Sequence, residues 1–108
     1  MPSDTLGERA RLAVELALTA RYADRPLRER QEADARRLGM VGAEIDAARL
    51  GRGFDVRTSR ALALATAPDC DRQERRDGAI RAGLAESDCA AIEALAASLA
   101  TGVRGRAG

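Results

Sequence analysis

Few side chains in this chain can do chemistry. They are Cys70 and Cys89, 17 Asp and Glu, 18 Arg, a handful of hydroxyls and Tyr22. His and Lys are absent. That removes Ser-His-Asp and Cys-His catalysis, imidazole metal sites, Schiff-base chemistry and a phosphate-loop lysine. The 19 positions from Cys70 to Cys89 match no metal or redox spacing. Cys70 lies between Asp69 and Asp71, whose charges oppose the thiolate that a nucleophile needs. Both thiols read as reduced and unremarkable, with a peroxidatic Cys70 as the minority reading. The most suggestive polar set is Asp24, Arg28 and Gln31, spaced i, i+4 and i+7 on one helix face. A carboxylate there can act as base, and an arginine can hold an anionic substrate. The same three residues serve equally well as a helix cap with a surface ion pair. Arg21 and Tyr22 are further candidates for such a pocket. Gly51-Arg52-Gly53 is too short for a phosphate loop, and the mixed-sign run Arg72–Asp77 reads as a solvated face.

These residues must be positioned by helices. The chain holds 24 Ala and 12 Leu, and β-branched residues are scarce, so the predicted fold class is all-α with about six helices. The first is expected over about Thr5 to Tyr22 with Asp4 as cap; its centre, Leu12-Ala13-Val14 and Leu16-Ala17-Leu18, is apolar on nearly every side, as in a helix buried all round. The second covers about Arg25 to Leu38, with Pro26 in the first turn and Gly39 as the stop. The third spans about Gly42 to Leu50. The fourth runs from an Asp55 cap through Ala67, the fifth over about Asp71 to Ala82, and the sixth over about Glu86 to Thr101, ending at Gly102. This gives a single domain over residues 1–102 and a frayed tail over 103–108.

Composition narrows the functional classes. A net charge of +1 and two aromatic residues do not suit nucleic-acid binding. No stretch reaches the roughly 20 apolar residues of a membrane span, and the amino end lacks the layout of a secretion signal. A soluble, cytoplasmic protein with no cofactor, no metal, no nucleic-acid partner and no membrane partner is expected. Alanine side chains bury little apolar area each but allow close helix approach, so further burial in a homo-oligomer is expected.

The sequence also repeats itself weakly at an offset of 44. Ala35-Arg36-Arg37-Leu38-Gly39-Met40 aligns with Ala79-Ile80-Arg81-Ala82-Gly83-Leu84, and Glu44-Ile45-Asp46-Ala47 with Asp88-Cys89-Ala90-Ala91. Each copy is a helix, a glycine stop, one apolar residue and a second helix. The alignment puts Cys89 in the inward-facing place of Ile45.

Over about Leu12 to Ala100 the chain resembles the AhpD-like and carboxymuconolactone decarboxylase superfamily. The likeness rests on the stretch Arg21 to Gln31, on Ala35-Arg36-Arg37-Leu38-Gly39, and on Ala43-Glu44-Ile45-Asp46-Ala47-Ala48-Arg49. It continues through Gly51–Thr58, Ala61–Ala65, Ala82–Asp88 and Ile92-Glu93. The resemblance implies an AhpD-like helical fold and a trimer or hexamer, with a paralogous subunit as a possible partner. It also implies a Cys-x-x-Cys-x-x-x-His motif where this chain carries Asp24, Leu27 and Gln31. The glutamate that relays protons in the peroxidase branch falls near Arg11 or Leu12, with Glu8 and Glu15 one turn to either side. Peroxidase chemistry requires two thiols one helical turn apart and a titrating base, and none of the three residues supplies these. The expectation is a non-redox binding or scaffolding relative. The alternatives are an enzyme keeping residual peroxidase-like or decarboxylase/isomerase-like acid–base activity on Asp24, Arg28 and Gln31, and a generic helical interaction module.

Overall fold

The computed structural model describes residues 7–107, with side-chain surroundings for residues 7–99. It is all-helical: α1 (Glu8–Thr19), α2 (Arg25–Arg37), α3 (Gly42–Arg49), α4 (Val56–Ala65), a 3-10 turn (Asp69–Asp71), α5 (Arg72–Arg81) and α6 (Glu86–Ala107). None of these helices is long and apolar enough to cross a membrane.

The apolar centre predicted for the first helix makes α1 the axis of the domain. Leu12, Ala13, Val14, Leu16 and Thr19 are buried, and α1 packs against α2, α3, α4 and α6. Helix α4 has the matching role in the second half. It buries Ala61, Leu62, Leu64 and Ala65 and packs against α1, α5 and α6. The small alanines let these helices approach closely, and Leu16, Leu62, Ile92 and Val14 fill the centre.

The internal repeat has a structural counterpart. Gly39 and Gly83 both adopt positive φ, which spares the Cβ clash that other residues meet there. Beyond each glycine the chain reaches back to close the helix. The Met40 N–H donates to the Ala35 carbonyl at 2.9 Å, and the Leu84 N–H donates to the Ala79 carbonyl at 3.0 Å. Ala35, Ala79, Met40 and Leu84 are all buried, so each turn also inserts an apolar residue into the core. Cys89 is fully buried, as its alignment with Ile45 implies.

Several helix limits differ from those read in the sequence. The first helix begins at Glu8 behind Gly7, whose φ of 85° is outside the helical range; the expected Asp4 cap and Thr5 start lie outside the described residues. It ends at Thr19, where the Thr19 carbonyl accepts from the Tyr22 and Ala23 N–H groups and turns the chain toward α2. Gly102 does not stop the last helix, whose backbone continues to Ala107. A glycine ends a helix only when it leaves helical geometry, and no proline follows Gly102 to force that. Before α5 the chain makes a 3-10 turn over Asp69–Asp71, because Pro68 cannot continue α4 and the Asp71 N–H donates to its carbonyl at 2.9 Å.

Candidate functional site

The three residues singled out on the second helix have three different environments. Asp24 is the N-cap of α2, and its Oδ1 accepts from the Leu27 N–H at 3.0 Å. Its carboxylate is exposed to solvent, and Arg28 is exposed one turn further on. The cap and not an Asp24–Arg28 ion pair uses the carboxylate; the ion pair in this part of α2 is Arg25–Glu29 at 3.8 Å, one residue further round the helix. Leu27 is half-buried.

Gln31 is only 1% exposed. Its Nε2 donates to the Glu15 Oε2 at 2.8 Å and to the Thr19 Oγ1 at 3.0 Å, both on α1. The Thr19 hydroxyl donates in turn to the Glu15 carbonyl at 2.8 Å. A buried amide must be satisfied, and here both amide hydrogens are used between two packed helices. Sequence reasoning singled out Gln31 but not Thr19; a threonine ending an apolar helix gives no sign of its distant partner. Glu15 is one of the two glutamates bracketing the expected relay position, and it is the one that meets Gln31.

Two larger concavities lie elsewhere, and Asp24, Arg28 and Gln31 line neither. The first is a groove of about 700 Å³ between the start of α1, the α2–α3 turn and the loop before α4. Ala13, Leu38, Met40, Ala48 and Leu84 give it an apolar floor. Its rim carries Glu8, Arg9, Glu44, Arg52, Asp55 and Arg57. Arg9 grips Glu44 through two bonds of 2.7 and 2.8 Å, and Arg57 lies 3.9 Å from the buried Asp88. Phe54 stands on this rim, 61% exposed.

The loop bearing Phe54 is held tightly. A Cβ on Gly53 would come within 2.7 Å of the Ser59 backbone nitrogen and 2.9 Å of the Thr58 carbonyl carbon. The Ser59 hydroxyl donates to the Gly53 carbonyl at 3.1 Å. Asp55 caps α4, accepting from the Thr58 N–H at 2.8 Å and the Thr58 hydroxyl at 2.9 Å. Arg52 and Phe54 are thus presented from a fixed turn. The Gly-x-Gly-Phe-Asp pattern was the available signal; in the sequence it was too short for a phosphate loop and counted only toward the family likeness.

The second concavity, of about 840 Å³, lies among the carboxyl ends of α1, α3 and α4 and the middle of α6. Arg21, Arg49 and Arg72 line it. Arg49 is held by Glu32 at 3.1 Å and Arg72 by Asp69 at 2.6 Å. Arg49 lies in the last turn of α3, where a cation offsets the negative end of the helix dipole, whereas Arg72 opens α5 and is tied down by its bond to Asp69. Arg21, a candidate from the sequence, faces this concavity; Tyr22 is half-buried.

Both thiols are free. Cys70 is exposed in the 3-10 turn. Burial pushes the Cys89 thiol up; Arg76 opposes the rise, and Glu93, Asp88 and Glu86 add to it. Arg76 is itself raised, chiefly by its 2.5 Å bond to Glu93. A buried, protonated thiol is a core group. Among the described residues no three acidic or sulfur side chains converge as metal ligands.

No family model matches the chain, and neither a curated protein nor a solved structure matches it.

Proposed function

We propose that the chain is a non-redox binding protein of the AhpD-like and carboxymuconolactone decarboxylase kind, cytoplasmic and assembled with copies of itself or a paralogous subunit. The observation that carries this reading is the contact between Gln31 and Glu15. It joins the position that the resemblance assigns to the family's histidine with a glutamate on the preceding helix. An amide in that place keeps the hydrogen bond and gives up the proton transfer. Asp24, in the place of the first thiol, is spent as a helix cap, and Leu27 replaces the second. The binding face in this reading is the groove below Phe54, whose apolar floor and charged rim are the usual make-up of an interaction patch.

An acid–base enzyme built on Asp24, Arg28 and Gln31 would need them around one cavity, and their separation into exposed and buried environments weighs against it. Organic hydroperoxide consumption in the presence of a dithiol reductant tests the reading. The protein should consume no more than a Cys70→Ser/Cys89→Ser variant does. Thiol-dependent turnover, or decarboxylation of a carboxylated lactone that disappears in Asp24→Asn, would overturn it.

A further inference from the structure

The chain's single Phe is on its surface. Phe54 rises from the rim of an apolar-floored groove, and Val56 beside it is also largely exposed. An exposed aromatic side chain beside an apolar-floored groove is the usual make-up of an interaction surface. The rim charges bear on what that partner is. Three acids and three arginines line the groove, so a ligand of one sign meets repulsion as well as attraction. A partner carrying both signs is favoured.

Resting on the reading of this groove as a binding face, we propose that its occupant is a second copy of the chain, related by a two-fold axis, with each Phe54 seated in the other copy's groove. Knob and hole lie on the same patch, which is the condition for a self-complementary two-fold contact. The charges follow the same logic. Arg9 and Glu44 satisfy each other, Arg57 lies beside Asp88, and Asp55 caps α4. Among the described residues, Glu8 and Arg52 make no side-chain hydrogen bond or ion pair. A two-fold apposition offers each a group of opposite sign. The contact makes dimers, or joins two trimers into a hexamer; a bare trimer does not contain it.

Sedimentation velocity on the full chain from micromolar to millimolar concentration tests this. The protein should form a dimer or an even-numbered assembly. Phe54→Ser should weaken association by about tenfold or more, the range for a central aromatic anchor. Leu50→Ser removes a 73% exposed leucine at the other concavity and should leave association unchanged. Glu8→Arg and Arg52→Glu should each weaken association, and the double reversal should recover it. Circular dichroism and thermal melts verify that each variant is folded. In a mixture of ordinary and isotope-labelled protein, a photo-crosslinker at position 54 should join the two forms through groove peptides containing Met40 or Ala48. A monomer at every concentration, association insensitive to Phe54→Ser, a double reversal no better than the singles, or crosslinks confined to single chains would overturn the proposal. These outcomes are separable from the non-redox binding reading: hydroperoxide turnover defeats that reading, whereas a protein that is monomeric at every concentration and shows no turnover defeats self-association through this groove and leaves the loss of redox chemistry standing.

Discussion

Gln31 on α2 donates its amide to the Glu15 carboxylate on α1 at 2.8 Å, and the same nitrogen reaches Thr19 at 3.0 Å. The pair is 16 residues apart in sequence and locks the second helix to the axial one. Gln31→Ala should therefore cost roughly 2–4 kcal/mol, combining a lost buried side chain with acceptors left unsatisfied. Chemical denaturation reads this directly. Gln31→Leu with Thr19→Val should cost less than the two single changes added together, because partners removed jointly leave nothing orphaned.

Gln31→Glu should make stability depend on pH in a defined direction. Two carboxylates in hydrogen-bond contact cannot both ionise, so the pair holds a proton in the folded state that the unfolded chain releases. Stability is then greatest at acid pH and falls as pH rises through the raised folded value. Urea midpoints near pH 4 and near pH 7 should differ more for Gln31→Glu than for the parent.

The caps Asp24 and Asp55 each satisfy a backbone N–H at the start of a helix. Asp24→Ala and Asp55→Ala should each destabilise by about 1 kcal/mol. The caps belong to different helices and share no partner, so thermal melts of the double variant should show the two costs adding.

Two glycines should respond oppositely to alanine. Gly53→Ala drives a Cβ against the backbone of Thr58 and Ser59, and should destabilise by roughly 1–3 kcal/mol. Gly42 opens α3 with no atom within 4 Å of a built Cβ, so Gly42→Ala should stabilise by up to about 1 kcal/mol. Differential scanning calorimetry of both variants checks the contrast.

The cysteines should differ sharply in reactivity. Exposed Cys70 should react with a chromogenic disulfide in the native protein, and buried Cys89 only after denaturation. Burial raises the Cys89 thiol, so its contribution to stability is complete below the ordinary thiol range and is lost as pH rises through the raised folded value. Comparing alkaline urea unfolding of the parent with Cys89→Ala should show a shallower loss in the variant.

Much of the architecture was legible in advance because helices are local. The Asp24 and Asp55 caps, the Gly39 and Gly83 stops and the apolar centre of α1 each involve residues a few positions apart. The weak repeat placed Cys89 inside for the same reason, since it compared one local pattern with another. The end of α6 was misread where Gly102 was judged by residue type alone, and the start of α1 where Gly7 was passed over as helical; Gly7 adopts a positive φ, whereas the α6 backbone runs on through Gly102.

The candidate site was less legible. Asp24, Arg28 and Gln31 share a helix face by spacing, but a helix interior begins part-way across a face. Spacing alone does not locate that boundary. The sequence by itself determined an all-helical chain, its caps and turns, and the chemistry it lacks. Only the tertiary structure decided that Gln31 is consumed by Glu15 and Thr19 while Phe54 and Arg52 stand at a groove. Those outcomes depend on which helices meet, and that is set by packing between residues far apart in the chain.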